Sequence, residues 1–523
     1  MKRVYKLTLF LFVAGLSTAF AQDEKVDLEV IDKIRNEGMN NSKVMDIAFY
    51  LTDVSGPRLS NSTGLKNAQN WAVESFKQWG LTNPHKEEWG EFGRGWEIEK
   101  SYIAMTKPYY QVMIGSPKAW TTGTNKQIKG NVMLVKIKSD SDFVKYAGQL
   151  KGKIVMMDVP STIKIGFEAD AKRYTDEDLA KMASYSDENP AAKDTYSPKM
   201  IQEYRARAAM ANKFREFCLN EKAALIISYG RGNTGTYFTS NGASYAVDAK
   251  PTLPEMEVSA EHYQRMIRLL NANIPVELEI DTKTRFVQDD LKGYNVIAEI
   301  PGTDPVLKDE VVMLGAHLDS WFAATGATDN AAGSAVVMEA VRIIKSLDLK
   351  PKRTIRIALW SSEEQGLFGS RGYVKQHFGD KTTMALLPEH EKLSAYYNLD
   401  NGTGKIRGIY TQGNKTIVPI FTKWLEPFAN LGASTVTLSN TGGTDHLSYD
   451  ALGLPGFQFI QDEMDYNTRT HHTNMDTYDR LSAEDLKQAS IIMAAFVYNT
   501  AVREAKIPRK ELPKAQEKAT GSK

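Results

Sequence analysis

Five short stretches in the second half of the chain carry side chains that could do chemistry together. They are His317 and Asp319 in GAHLDS, Asp329 in GATDNAAG, the pair Glu363-Glu364 in SSEEQGLFGS, Asp400 in YYNLDNG, and His471-His472 in THHTNMDT. Imidazole nitrogens and carboxylate oxygens are the donors a divalent cation such as zinc takes. A bound cation of that kind polarises a carbonyl and makes water acidic enough to attack it. Each stretch also has a plainer explanation. His317 could sit in an ordinary turn, Asp329 could cap the helix that follows it, and most Glu-Glu pairs are solvated. The set argues for chemistry because every member falls at the end of an apolar run or in the loop beyond it.

Residue by residue, the spacing constrains the roles. His317 and Asp319 flank Leu318 at a strand end, so their side chains share one side, and Asp319 is within reach to orient the imidazole. Asp329 has two oxygens and could bridge two cations. Glu363 and Glu364 repel one another after a buried strand unless a cation or proton compensates. One on the metal and one free to take a proton resolves that conflict. Either His471 or His472 can serve as a ligand, with Asp476 placed to orient one of them.

Strand and helix alternate through this region. Apolar runs at 294–300, 311–316, 354–360, 393–399 and 456–460 predict strands, and helices are expected near 331–346, 370–377, 416–430 and 482–505. Such alternation predicts an α/β fold, a mostly parallel mixed sheet sandwiched by helices, with its site at the carboxyl ends of the strands. Upstream, 27–50 and the face built from Leu65, Ala68, Trp71, Ala72 and Phe76 predict helices on either side of the polar turn SGPRLSNSTG. Short β-like runs between 121 and 289 (NVMLVKI, GKIVMMD, AALIISYG) predict an inserted β-rich domain. It carries no cluster of metal-ligand types and is expected to have no chemistry of its own. It could shape the cleft or mediate a homodimer. The expected segments are therefore 1–21, 22–120, the insert 121–289, the main domain 290–506, and a disordered basic tail 507–523.

The ends and the composition bear on location and partners. Lys2, Arg3 and Lys6 precede the apolar LTLFLFVAGLSTAF, and Ala19-Phe20-Ala21 is a small-x-small cleavage site, so 1–21 predicts a signal peptide. The expected mature protein is exported to a bacterial periplasm or beyond, with no membrane span after cleavage. With 65 basic and 64 acidic side chains, the charge balance gives no support for a nucleic-acid partner. Cys218 is the single cysteine, which rules out an intrachain disulfide.

In this order the motifs resemble those of the MH-clan di-zinc exopeptidases, the group of secreted bacterial aminopeptidases, glutamate carboxypeptidase and carboxypeptidase Q-type dipeptidases. The likeness covers about 55–83 and 294–505, and the insert resembles a protease-associated domain. The resemblance implies a zinc aminopeptidase-like fold, two Zn²⁺ ions and a peptide substrate cut at a free terminus. It implies His317, Asp329, Glu364, Asp400 and His472 as metal ligands, with Asp329 bridging. His472 is favoured over His471 because His-Thr-x-x-Asp-Thr aligns on it. Glu363 matches the general base and Asp319 the carboxylate that orients His317. GGTDHLSYDALGLPGF resembles a substrate-side loop, which makes His446 a candidate pocket residue. Two rival functions share the fold, a one-zinc glutaminyl cyclase and a receptor-like relative without ligands. Filled positions at all five ligand sites argue against both.

Overall fold

The computed structural model describes residues 24–161, 163–186 and 198–515; the expected signal peptide lies outside them. Two eight-stranded sheets organise these residues. In the first, the strand order is Thr82–Glu91, Lys292–Ile300, Thr354–Trp360, Val311–His317, Leu393–Asn398, Gly456–Gln461, Ile406–Tyr410, Thr435–Thr437. The four strands from Thr354–Trp360 to Gly456–Gln461 are mutually parallel. Antiparallel partners close the margin at Lys292–Ile300 and again at Ile406–Tyr410. The result is a mixed sheet with a parallel centre, flanked by helices as the alternation predicts.

Val311–His317 is buried along its whole length, as a central parallel strand covered on both faces must be. Val312, Leu314 and Ala316 pack with Ile355, Ile357 and Leu359 against the helices Ala332–Ser346 and Ala483–Val502. Val311 and Met313 face the opposite layer, with Trp360, Tyr373, Tyr396 and Tyr449. Truncating Leu314 to Ala would cost ~2–5 kcal/mol. Gly315 has a packing reason, because a Cβ there would lie 2.9 Å from the Tyr396 hydroxyl and 3.0 Å from Trp360 Nε1, two groups that hydrogen-bond each other at 2.7 Å. Parallel strands all finish at one edge, and that edge carries His317, Asp400 and the Ser361–Glu364 turn.

The second sheet reaches outside the segment 121–289. It begins at Gly95–Lys107, inside the segment expected to belong to the main domain, because that strand pairs antiparallel with Glu277–Val287. A pairing across so much chain leaves no mark in local composition. Between the β-like runs, Asp176–Ala183 is a helix opened by a Thr175/Asp178 capping box. Neighbouring Arg173 is ion-paired at 2.8 Å to Asp462 and to Asp485 of the main domain. The basic segment from 507 is held against the main domain as far as Lys510. Ile507 is buried, Arg509 donates to the carbonyl oxygens of His390 and Leu393, and Lys510 is paired with Asp450 at 2.5 Å. Cys218 is buried and free, and burial pushes its thiol up to about 12. No helix among the described residues is long and apolar enough to cross a membrane.

Candidate metal centre

The five stretches meet at the carboxyl edge of the first sheet. His317 Nε2 lies 3.2 Å from Asp329 Oδ1 and 3.4 Å from Asp400 Oδ1. The other oxygen of Asp329 lies 3.0 Å from His472 Nε2, which is 2.8 Å from Glu364 Oε2. Asp329 therefore belongs to two groups at once, one with His317 and Asp400, the other with His471 and His472. Two donors each about 2.0–2.1 Å from a tetrahedral zinc stand about 3.3–3.4 Å apart, which fits the His317–Asp329–Asp400 group.

Bonding among these atoms is incomplete in the way ligand atoms require. Asp329 Oδ2, Glu364 Oε1 and His472 Nδ1 are buried and receive or donate no aligned hydrogen bond. An uncompensated buried carboxylate is costly, and here Asp319, Asp329, Asp400, Asp445 and Asp476 are all buried within one region. Burial and the charge of Asp329 push Glu364 up to about 7, despite the opposing pull of His472. Burial alone would lower His472, yet Glu364 and Asp329 hold it at about 10. His317 is buried and still raised, because Asp400, Glu363, Asp319 and Asp329 surround it. Glu363 is raised well above the usual carboxyl range by burial, with Asp400, Asp445 and Glu364 adding repulsion against the pull of His317. An excess of buried carboxylates, with Asp329 Oδ2, Glu364 Oε1 and both Asp445 oxygens left without partners, is what a divalent cation neutralises, so these residues fit a metal.

Supporting residues explain the motifs around the ligands. Asp319 orients His317 differently from the expectation. Its carbonyl oxygen faces His317 Nδ1 at 3.0 Å, while its carboxylate stands farther off at 3.7 Å. That carboxylate accepts the backbone N–H groups of Glu363 and Glu364, at 3.1 and 3.3 Å, and so sets the direction of both glutamates. Asp476 holds Asp329 and not a histidine: it accepts from Thr328 N at 2.6 Å, Thr328 Oγ1 at 2.7 Å and Asp329 N at 3.1 Å. Asn330 Oδ1 accepts from Gly333 N and caps the helix, which leaves Asp329 free to face the histidines. A Cβ on Gly333 would fall 2.2 Å from the carbonyl oxygen of Leu399, next to Asp400. Arg58, in the GPRLSNS turn, is fully buried and donates to the carbonyl oxygens of Leu51, Thr325, Gly326 and Leu318. It ties the first helical segment to the loop between His317 and Asp329.

His472 and His471 are not equivalent. His472 stands against both Asp329 and Glu364, whereas His471 Nε2 is 3.8 Å from Asp329 Oδ2 and its ring stacks on Tyr466 at 4.7 Å. Burial and the neighbouring His472 push His471 down to about 4. A narrow cleft is lined by Trp321, Ala324, Gly326, Asp329, Glu364, His472, Thr473 and Asp476, and His446 is buried outside that lining. Its Nε2 is enclosed by Gln412 and the Thr441 carbonyl, and burial pushes it down to about 4. The residue beside it, Asp445, acts on the site instead, raising Glu363. The inserted segment is not separate from the centre either. Thr239 donates its N–H to the carbonyl oxygen of His472 at 2.7 Å, and the Phe238 ring lies 5.2 Å from the His472 ring. Arg231 covers Phe238 at 3.7 Å. Backbone donors and a phenylalanine are invisible to a search for ligand types; the aromatic in GRGNTGTYF was the one available signal.

Residues 295–497 match the model of peptidase family M28. Mouse carboxypeptidase Q is 27% identical over 463 residues, 88% of this chain and 86% of that protein. A peptidase M28 precursor from Shewanella amazonensis superposes with a TM-score of 0.65 at 24% identity, over 93% of this chain and 98% of the other. A zinc aminopeptidase from Bacillus subtilis superposes with a TM-score of 0.52 at 17% identity, over 88% of this chain and 96% of the other. These two structures share the fold.

Proposed function

We propose, on the premise that this chain belongs to peptidase family M28 through residues 295–497 and is a metallo-exopeptidase, that it hydrolyses dipeptides and short peptides with two zinc ions. The observation that carries the reading is Asp329, which offers one oxygen to His317 and the other to His472. His317, Asp329 and Asp400 would hold one ion; Asp329, Glu364 and His472 would hold the other. Bound there, zinc supplies Lewis-acid polarisation of the scissile carbonyl and acidifies water.

The chain's own residues do the rest. Glu363 takes a proton from the attacking water and returns it to the leaving amine nitrogen. Its direction is set by its own N–H, donated to Asp319. Asp319 and Asp476 hold His317 and Asp329 against rotation, and Trp321 and Phe238 wall the cleft from water. Arg231, exposed and stacked on Phe238, is the cation that would receive the α-carboxylate of a short substrate. That assignment favours free dipeptides over substrates with a blocked carboxyl end. The segment 1–21 is read as an export signal and the second sheet as a protease-associated-like unit.

The test combines metal analysis with substrate comparison. The purified mature chain should hold two zinc ions and cleave free dipeptides, with activity lost to chelator and regained with zinc. Asp329→Ala should release at least one ion, and Arg231→Gln should raise KM for free dipeptides without changing KM for dipeptide amides. A single zinc with cyclisation of N-terminal glutamine would replace this reading by the cyclase. Full activity without metal would remove it.

A further inference from the structure

Between the second sheet and its helices lies a partly open cavity of about 230 Å³ that the metal centre does not use. Glu255 and Glu257 alternate on the strand Glu255–Val258, so both carboxylates emerge on one face. Both are buried, as is Lys118. Glu255 is fully engaged, accepting two bonds from Arg215 at 2.8 and 3.0 Å. Glu257 is not. Its Oε1 lies 3.5 Å from Lys118 Nζ, longer than the about 2.7–2.9 Å of a charge-assisted hydrogen bond, and its buried Oε2 has no partner. Burial pushes the Glu257 carboxyl up against the pull of Lys118. The rest of the lining combines apolar groups, with Met157, Phe214 and Ile227 among them, and the polar Ser228, Tyr229 and Tyr263, and Asn241 stands exposed at the rim.

We propose that this cavity is a second binding site for a free α-amino acid with an apolar side chain. Its ammonium would donate to Glu257 Oε2, its carboxylate would accept from Lys118, and its side chain would pack on the apolar wall. The zwitterion supplies the donor that Glu257 lacks and the acceptor that Lys118 holds at a distance. At about 230 Å³, the space falls below the roughly 300–1,000 Å³ of sites for drug-sized ligands, which suits one amino acid. The cavity also has a route to the metal centre. Ser228, Tyr229 and Asn241 line it, and the chain between them carries Tyr237, Phe238 and Thr239. Tyr237 N donates to Asn474 Oδ1 at 3.0 Å, and Thr239 N donates to the His472 carbonyl at 2.7 Å. An occupant that shifts this segment shifts the His471–His472 loop, so occupancy changes the rate of peptide hydrolysis.

L-leucine is the probe, titrated calorimetrically into the full chain after metal removal, so that the metal centre cannot hold its carboxylate. One saturable site is expected, with leucinamide and 4-methylpentanoate binding at least about tenfold more weakly, since each lacks one charged partner. Glu257→Gln should weaken leucine by about tenfold or more. Ala211→Leu, on a helix position at the cavity wall, fills the space without touching the charges and should abolish binding. Both variants should keep wild-type dipeptide turnover in leucine-free buffer, while losing the change in rate that leucine causes in the wild type. Absence of a saturable site, or equal binding by wild type and Ala211→Leu, would overturn the site. Binding that leaves the wild-type rate unchanged would overturn the coupling. Only the rate measurement rests on the peptidase reading; the titration stands apart from it.

Discussion

Asp476→Asn isolates the support of the bridging carboxylate from the carboxylate itself. In the native protein one Asp476 oxygen accepts from Thr328 N and Oγ1, and the other accepts from the N–H of Asp329. The amide keeps the size and one acceptor. If that acceptor stays with Thr328, the Asp329 N–H faces an NH₂ group and loses its partner. A buried donor left unsatisfied costs ~1–3 kcal/mol. The substitution also removes a negative charge beside Asp329. Asp476 itself is pushed up to about 7 by burial and by Asp329, so the change relieves repulsion in the metal-free protein and weakens attraction for a cation. Both effects lower metal affinity. Outer supports of this kind are worth about 10–100-fold in affinity, or ~1.4–2.7 kcal/mol, which agrees with one lost hydrogen bond. Competition with a chromophoric zinc chelator measures the dissociation constant, and circular dichroism checks that the fold is intact. Affinity within about twofold of the wild type, in a variant with native helicity and melting temperature, would refute the claim that Asp476 holds the metal centre through Asp329.

Three further outcomes follow from the same geometry. Glu363→Gln should keep both metals by elemental analysis and lose turnover by about 10²–10⁴-fold; unimpaired turnover, or loss of metal, would remove Glu363 from the proton-transfer role. Arg58→Lys replaces a planar fork by a single ammonium that cannot reach four carbonyl oxygens, and should lower the unfolding free energy by ~2–4 kcal/mol in urea titrations. A loss under about 0.5 kcal/mol would show that the fork is not what holds the turn to the 318–326 loop. His377 is bound by Glu87 at 2.6 Å and by Glu389 at 3.2 Å; burial lowers it, but these partners outweigh burial and raise it above its ordinary 6.5. Its contribution is therefore full below pH 6.5 and lost as pH rises through the raised value, while Glu87, held below its ordinary 4.5, loses its share as pH falls through the lowered one. The melting-temperature gap between wild type and His377→Gln should be widest between about pH 5 and 6.5 and close in alkali; a gap that grows with pH would reverse the assignment.

Local sequence determined the candidate ligand inventory and its placement. Apolar runs of strand length end just before His317, Glu363 and Asp400, and strand periodicity alone puts His317 and Asp319 on one side. The central strand 311–317 was legible because a strand buried on both faces reads as a nearly unbroken apolar run, and 354–360 and 393–398 were legible from their apolar residues despite Arg356 and Ser394. Asp476, whose spacing allows it to orient a histidine, holds Asp329, and Asp445, beside His446, is buried and raises Glu363. A one-residue step along a loop or helix turn decides which side chain faces the cleft, and residue type does not record that step.

Tertiary structure alone decided how the candidate ligands divide. Asp329 serves two groups because His317 comes from a strand end and His472 from a loop more than a hundred residues later, and only the closed fold brings opposite oxygens to each. The same holds for the strand Gly95–Lys107 in the second sheet, the Arg58 fork, and the N–H of Thr239 on His472. These contacts run through backbone groups, which every residue carries alike, so the sequence has no letter for them. Chain geometry over short distances is written in side-chain periodicity; closure over long distances is set by packing.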